Sequence, residues 1–268
     1  MDKKDSTLSR FAAHRLEGAL RFRASQVRVG RTAPEFGLTD LRGRTVRLSD
    51  YRSKSYVVLM FGSVTCGATV SQLRAGDPSI GSPYAQYKKK GFEFFFIYSK
   101  EPHPGENIPQ PKTIQERVNN AVRLKREEKV KFPILIDPVE NTVRKIYRGF
   151  SNATFIINRE GLVVFRSSWT SGPELAKVLH DLYAWEKAKA RNELVRIYYS
   201  ERLVGLLRNR KISASVHWRA GTKAAQDLRI CFKRKAKPAD AEKAERYMKT
   251  DLRCLRDVHM NVELKSRF

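Results

Sequence analysis

Residues 56–66 read YVVLMFGSVTC, an apolar run that ends in a short polar loop and a cysteine. A continuous apolar run of strand length is typical of a central strand that is buried on both faces of a sheet. Residues 62–65 then form a loop that leads Cys66 to the start of a helical segment. Folds of this kind place reactive groups where a buried strand ends, so Cys66 is the first candidate functional residue.

The segments around this stretch alternate between strand and helix patterns. Further strands are predicted at residues 46–48, 92–98, 134–136, 153–158 and 162–166. Thr113, with Glu116 three residues later, forms a capping box that predicts a helix to about Glu128. Pro173 suits a first helical position, and the apolar spacing after it predicts a helix that continues to about Leu207.

This order of elements predicts an α/β fold with a mixed central sheet and helices on both faces. The chain divides into three predicted parts. They are a basic helical arm over residues 1–28, the sheet-containing domain over residues 29–185, and a basic, mostly helical C-terminal extension over residues 186–268. Within the extension, a second helical stretch is predicted at residues 239–258.

The composition is that of a folded protein, since 41% of the 268 residues are hydrophobic and 10% are aromatic. No apolar run approaches the roughly 20 residues that span a bilayer. The three cysteines are too few for a disulfide framework, and the N-terminus lacks the apolar stretch of a secretory signal. We therefore expect a soluble, cytoplasmic protein. Organellar import through an amphipathic segment at residues 8–22 is the less favoured alternative.

The net charge of +25 is the most extreme global feature. The excess is concentrated at the two ends, with +10 over residues 1–100 and +11 over residues 173–268. Such a distribution attracts polyanions without selecting among nucleic acid, anionic lipid and acidic protein. Residues 123–131 and 233–237 are the basic runs that would make these contacts. A solvated basic helical surface explains the same composition.

The predicted position of Cys66 favours reactivity of its thiol. A cysteine at a helix start lies at the positive end of the helix dipole and beside backbone N–H groups, and both favour the thiolate. We therefore predict a lowered pKa for Cys66. The hydroxyls of Ser63 and Thr65 can donate hydrogen bonds to the sulfur or to a substrate oxygen. An inert cysteine, buried for packing alone, is the alternative.

The opening at residues 29–51 resembles that of redoxin and peroxiredoxin domains, and residues 63–66 (SVTC) match their S/T-x-x-C pattern. A closer resemblance is to the iodothyronine deiodinase family, particularly its bacterial deiodinase-like members. It rests on five ordered blocks: MFGSVTCGAT (60–69), FIYSKEPHP (96–104), QPKTIQER (110–117), FPILIDPVEN (132–141) and FIINREG (155–161). The resemblance implies a thioredoxin-like fold and thiol-dependent redox chemistry.

The resemblance also implies roles for individual residues. Cys66 stands where the animal deiodinases have selenocysteine, with Ser63 and Thr65 at the matching hydroxyl positions. The tyrosine, glutamate and histidine of the family's proton-relay segment are matched by Tyr98, Glu101 and His103. A histidine near a thiol can hold a proton at neutral pH and pass it to a leaving group. Without the resemblance, a solvent-exposed loop histidine is the favoured interpretation of His103.

The chain departs from the family at several positions. Gly67 replaces the proline that usually follows the nucleophile. The resolving cysteines of animal deiodinases and the histidine linked to hormone binding are replaced by Val64, Phe132 and Pro111. The cis-proline that thioredoxin folds place opposite the nucleophile is absent, and Asn152 or Ala153 occupies that region. Thyroid hormone is therefore not the expected substrate.

Cys66 has no partner in a C-x-x-C arrangement, because Thr69 is the fourth residue. An oxidised Cys66 must be resolved by a small thiol, by a thioredoxin-type reductant, or by Cys231 or Cys254. For Cys231 and Cys254 themselves, helix packing is the favoured role. We expect no cofactor beyond this external thiol reductant. We also expect no metal site, because the five histidines lack ligand spacing.

Two hypotheses follow. In the first, the chain is a one-cysteine thiol oxidoreductase. Its Cys66 thiolate attacks a peroxide oxygen, a disulfide sulfur or, less readily, an aryl halogen, while Glu101 and His103 handle protons. In the second, a non-catalytic thioredoxin-fold protein serves binding or assembly and docks on RNA or another polyanion through its basic ends. The sequence predicts no particular oligomeric state.

Overall fold

The computed structural model describes Phe22 and residues 25–74, 80–147, 152–195, 199–202, 215–216, 218–222 and 224. The predicted helix at residues 239–258 lies outside the described residues, as do residues 8–21 of the predicted N-terminal helix. Cys231, Cys254 and the basic run at residues 233–237 also lie outside them.

Within the described residues, eight strands form one sheet. They are β1 (Gly37–Asp40), β2 (Thr45–Arg47), β3 (Tyr56–Gly62), β4 (Phe92–Tyr98), β5 (Ile134–Ile136), β6 (Thr154–Ile157), β7 (Val163–Ser167) and β8 (Ser200–Arg202). The strand order is β2-β1-β5-β4-β3-β6-β7-β8. The β3–β4 and β4–β5 pairs are parallel and the β3–β6 and β6–β7 pairs are antiparallel, so the predicted mixed sheet is confirmed.

Helices pack on both faces of this sheet. They are α1 (Gly67–Arg74), α2 (Gly81–Tyr87), α3 (Ile114–Glu127), α4 (Thr142–Tyr147) and α5 (Gly172–Ala190). Short 3₁₀ helices cover Leu48–Tyr51 and Lys88–Lys90. Among the described helices, none combines the length and the apolar character needed to cross a membrane.

The central strand β3 divides the core into two layers. Every residue of β3 is buried, as its continuous apolar run predicts. Val58 and Met60 pack on one face in a cluster that includes residues of α2, α3 and α5. Val57, Leu59 and Phe61 pack on the other face in a cluster that includes residues of α4. Because successive side chains of a strand point to opposite faces of the sheet, β3 packs against the helix layers on both faces.

Three chain segments meet at the sheet edge where β3 ends. Because β3 and β4 run parallel, Gly62 is in register with Tyr98, and the loops that follow both strands leave at the same edge. β6 enters from the opposite direction. Ala153, the residue before it, accepts a hydrogen bond from the Phe61 amide at 2.8 Å. This edge is where the predicted site residues gather.

The predicted capping box at the start of α3 is confirmed. Thr113 Oγ1 accepts a hydrogen bond from the Glu116 amide at 3.2 Å, and the Glu116 carboxylate accepts one from the Thr113 amide at 3.2 Å. The same carboxylate accepts a further bond from the Lys112 amide at 2.6 Å. Backbone donors that would otherwise lack partners at the helix start are thereby satisfied.

The prediction that one helix continues from Pro173 to about Leu207 is wrong. Helix α5 ends at Ala190, and Asn192 has a positive φ of 56°, which breaks the helical path. Leu194, which extended the apolar spacing, is 95% exposed. β8 then pairs in parallel with β7, so part of the predicted helical extension is a strand at the edge of the sheet.

We predict that Thr113→Ala lowers the unfolding free energy by about 1 kcal/mol, because the Glu116 amide loses its side-chain acceptor. Urea denaturation measures this difference. Arg126→Ala, at an exposed position near the end of the same helix, is the matched control and should change stability by less than about 0.5 kcal/mol. Equal effects of the two substitutions would show that the cap contributes nothing.

Candidate active site

Cys66 lies where β3 has ended and α1 begins. Its carbonyl oxygen accepts the Val70 amide at 3.0 Å, and its own amide donates to the Ser63 carbonyl oxygen at 3.2 Å. The thiol is not in a disulfide, and the residue is 5% exposed. The predicted placement at a helix start is confirmed, and this placement favours a negative charge on the sulfur.

The loop before Cys66 is fastened by the carboxylate of Glu101. The Thr65 amide donates to Glu101 Oε2 at 3.0 Å, and the Thr65 hydroxyl donates to the same oxygen at 2.6 Å. Both residues are fully buried. Two hydrogen bonds to one buried acceptor fix the backbone and the side chain of Thr65 together, one residue before the thiol.

Tyr98 makes a second attachment between β4 and the same loop. Its hydroxyl donates a short hydrogen bond to Glu101 Oε1 and accepts one from the Val64 amide at 3.1 Å. Tyr98 is itself fully buried. Two successive amides of the thiol loop, those of Val64 and Thr65, are therefore held by side chains at the end of β4.

Burial controls the protonation of this cluster. Burial raises the pKa of the Glu101 carboxyl, and the hydrogen bonds from Thr65 and Tyr98 oppose that rise without cancelling it. Burial, together with the adjacent Glu101 charge, raises the pKa of Tyr98 well above its ordinary value, so Tyr98 stays a neutral donor. The burial of Glu101 therefore carries a desolvation cost, which its hydrogen bonds offset in part.

The two remaining predicted residues adjoin this cluster. Ser63 is fully buried, and its hydroxyl lies close enough to Glu101 to favour the ionised carboxylate. His103 lies two residues after Glu101, is half-buried, and donates its backbone amide to Thr65 Oγ1 at 3.4 Å. The structure thus brings together all six predicted residues: Cys66, Ser63, Thr65, Tyr98, Glu101 and His103.

Two residues of α3 that sequence reasoning missed complete the surroundings of Glu101. Asn120 Nδ2 donates to Glu101 Oε1 at 3.4 Å. Arg117 is fully buried and donates to the Asp137 carbonyl oxygen at 2.8 Å. Burial lowers the pKa of Arg117, while the nearby carboxylates of Asp137 and Glu101 raise it. One sequence signal could have revealed Arg117: it lies four residues before Ala121, on the helix face that packs against the sheet. A cation buried on that face requires anionic partners, which points to nearby carboxylates.

The departures from the deiodinase pattern have simple structural counterparts. Val64 and Phe132 are 0% and 2% exposed and belong to the apolar core, so these positions serve packing. Asn152 precedes β6 at the edge next to the thiol loop. Its carbonyl oxygen accepts the Thr170 amide at 2.6 Å, which ties this segment to the residues after β7.

The described residues contain no group of three or more His, Cys, Asp or Glu side chains arranged to hold a metal ion. A groove of about 530 Å³ lies between β1 and α3, lined by residues such as Leu38, Ile114 and Val118. None of the six candidate residues lines this groove.

The sequence model of the AhpC/TSA family matches residues 29–166, slightly more than half of the chain. The chain belongs to the AhpC/TSA family. Its match begins where the predicted sheet-containing domain begins and includes every candidate site residue. The thioredoxin-like α/β fold is the one expected for a member of this family.

Two curated relatives and one solved structure illustrate the similarity. Thiol-disulfide oxidoreductase ResA of Geobacillus kaustophilus is 34% identical over 137 residues, which are 51% of this chain and 67% of the relative. Thyroxine 5-deiodinase of Gallus gallus is 26% identical over 168 residues, 59% of this chain and 61% of the relative. A putative protein disulfide isomerase from Bacteroides thetaiotaomicron has a TM-score of 0.49 at 22% identity, covering 62% of this chain and 96% of that one.

We predict that the difference in unfolding free energy between the wild type and Glu101→Gln becomes smaller as the pH rises. Because the pKa of Glu101 is raised on folding, the folded state holds this proton more tightly than the unfolded state does. The stability that the proton adds is complete below the ordinary pKa of 4.5 and is lost as the pH rises through the raised pKa. Within that window the difference falls by up to about 1.4 kcal/mol per pH unit. Urea denaturation at a series of pH values measures it.

Glu140→Gln is the control for that series, since it removes one negative charge from an exposed position after β5. The substitution at Glu101 leaves an amide that cannot accept from both Thr65 and Tyr98, so it also lowers stability directly. A difference that grows with rising pH would contradict a raised pKa of Glu101.

Proposed function

We propose that this chain is a thiol oxidoreductase in which Cys66 is the nucleophile. The observation that carries the proposal is a thiol at the start of α1, in a loop that the buried Glu101 carboxylate fixes through Thr65. Membership of the AhpC/TSA family and the similarity to a thiol-disulfide oxidoreductase support the same reaction class. The expected substrate is a peroxide or a disulfide.

With a hydroperoxide, the Cys66 thiolate attacks the terminal oxygen and the O–O bond breaks. The sulfur becomes a sulfenic acid, and the leaving oxygen takes a proton and departs as an alcohol or as water. An external thiol then displaces water from the sulfenic acid and forms a mixed disulfide. A second thiol cleaves this disulfide and restores Cys66, so two thiols are oxidised for each peroxide reduced.

The surrounding residues divide the supporting work. Thr65, Tyr98 and Glu101 are positioning residues, because they hold the loop that presents the thiol. We assign His103 the proton that the leaving oxygen or sulfur requires, since a histidine changes charge near neutral pH and its backbone is joined to Thr65. A small thiol or a thioredoxin-type protein is the proposed electron donor.

We place the chain in the deiodinase-like branch of its family. The similarity to Thyroxine 5-deiodinase supports this placement. The hydrogen bonds that join Thr65, Tyr98 and Glu101 also support it, because these residues were matched through that resemblance. An aryl halide is the less favoured substrate, since a thiol attacks iodine more slowly than a selenol does. Polyanion binding is the alternative function, and neither the family membership nor the similarity to a thiol-disulfide oxidoreductase supports it.

We predict that purified wild-type protein consumes hydrogen peroxide when supplied with a small thiol, and that Cys66→Ser abolishes turnover. Mass spectrometry should find the sulfenic acid or its trapped derivative at Cys66. Cys231→Ser and Cys254→Ser are the matched controls and retain turnover, since the external thiol resolves the oxidised enzyme. Turnover that survives in Cys66→Ser, or a wild-type Cys66 that neither hydrogen peroxide nor a low-molecular-weight disulfide modifies, would refute the proposed function.

A further inference from the structure

A short segment from the predicted C-terminal extension lies against the thiol loop. We call it the strap and define it by the described residues 215–216, 218–222 and 224. Val216, Ala220 and Ala224 of the strap are at most 1% exposed and belong to the same apolar cluster as Val64. The strap is therefore packed into the domain although it lies some 50 residues beyond the family match.

Charged side chains fasten the strap to the end of α3. Arg219 forms ion pairs with Glu127 and with Glu128, the latter at 3.1 Å. Glu128 has a fully buried side chain and also pairs with Arg74 at the end of α1, at 2.6 Å. Breaking such an arrangement by removing one arginine leaves a buried carboxylate without one of its partners, which is costly.

The strap also contacts both loops of the proposed site. Arg219 Nη2 lies 3.5 Å from the carbonyl oxygen of Val64, two residues before Cys66. The carbonyl oxygen of Ala220 accepts the Asn107 amide at 3.0 Å, in the loop that follows His103. The strap therefore joins the loop that carries the thiol to the loop that carries the histidine.

A glycine is required on each side of this contact, Gly105 by the close approach of the strap backbone and Gly221 by its own backbone conformation. A Cβ atom on Gly105 would overlap the backbone carbonyl group of Ala220. Gly221 has a φ of +130°, and a Cβ atom there would overlap the carboxylate of Glu106. Backbone positions on both sides of the contact are thus fitted to a seated strap.

We propose that the strap is the outer wall of the thiol site and determines its specificity. It restricts Cys66 to small substrates, such as hydrogen peroxide or a low-molecular-weight disulfide, and excludes the disulfides of folded proteins. Of the two proposed electron donors, it therefore selects the small thiol over the thioredoxin-type protein. The inference rests on the proposed function. It draws on the 5% exposure of Cys66 and on the contacts of Arg219 and Ala220 with the two site loops.

The test compares how fast Cys66 reacts with a small and a bulky form of one reagent. The probes are N-ethylmaleimide and a maleimide carried on polyethylene glycol, and peptide mapping by mass spectrometry reads Cys66 separately from Cys231 and Cys254. For Cys66 we divide the reaction rate of the bulky maleimide by that of N-ethylmaleimide. This ratio is compared with the same ratio measured for the thiol of free glutathione. We expect the wild-type ratio to lie about tenfold or more below that of glutathione, because the bulky probe must wait for the strap to open.

Two substitutions should release the strap by different means. Gly105→Ala displaces it by steric overlap without a change of charge, and Arg219→Gln removes its ion pairs. Both should raise the ratio about tenfold, toward that of glutathione. The matched controls are Gly37→Ala, where the new Cβ atom meets only the Arg47 side chain at 3.7 Å, and Arg126→Gln at an exposed position on α3; both should leave the ratio unchanged.

A wild-type ratio equal to that of glutathione would overturn the inference, as would variants that leave the ratio unchanged. Should a variant fail to fold, hydrogen exchange of the intact wild-type protein, measured at the Asn107 amide, provides the second measurement. This amide should exchange slowly, and fast exchange would contradict a seated strap. The maleimide ratio does not depend on catalytic turnover. If the proposed redox function fails, peroxide turnover is absent but the ratio still reports on the strap; if the strap proposal fails, the ratio equals that of glutathione whether or not turnover is found.

Discussion

The burial of the Glu101 carboxylate is the constraint on which the candidate site depends. A carboxylate without solvent is tolerated only when donors surround it, and here the donors are Thr65 and Tyr98, with Asn120 adding a weaker contact. Two of these donor groups belong to Thr65, the residue that precedes Cys66. The need to satisfy Glu101 therefore fixes the loop that presents Cys66.

The sheet makes this arrangement possible because of the direction of its strands. The parallel pairing of β3 and β4 brings the thiol loop and the Tyr98–Glu101–His103 segment out at one edge. The antiparallel β6 returns Asn152 and Ala153 to the same edge. Residues far apart in the sequence thus meet at the edge of the sheet beside Cys66.

Local sequence patterns predicted the elements whose causes are local. The continuous apolar run gave β3, the Thr113–Glu116 spacing gave the start of α3, and the loop after β3 gave the placement of Cys66. The resemblance to the deiodinases, rather than any spacing, supplied Tyr98, Glu101 and His103. The contact of Asn120 with Glu101, and the burial of Arg117 near it, depend on how α3 packs on the sheet, which a single sequence does not encode locally.

The features that could not be predicted depend on long-range contacts. Leu194 continues an apolar helical spacing, yet it is 95% exposed because α5 has already ended. β8 forms by pairing with a strand more than thirty residues earlier, and a three-residue segment carries too little pattern to reveal that pairing. Arg219 contacts Glu127 and Glu128, which lie about ninety residues earlier in the chain. Charge composition alone does not show whether such an arginine forms a specific ion pair or belongs to a solvated basic surface.

The most direct test of the central claim is the pH dependence of the rate at which iodoacetamide alkylates Cys66, followed by peptide mass spectrometry. A sulfur held at the start of α1 should reach its half-maximal rate clearly below the value of about 8.5 that is ordinary for a thiol. A half-maximal rate at or above that pH would contradict the account, because the Glu101-fixed loop would then hold an unactivated cysteine.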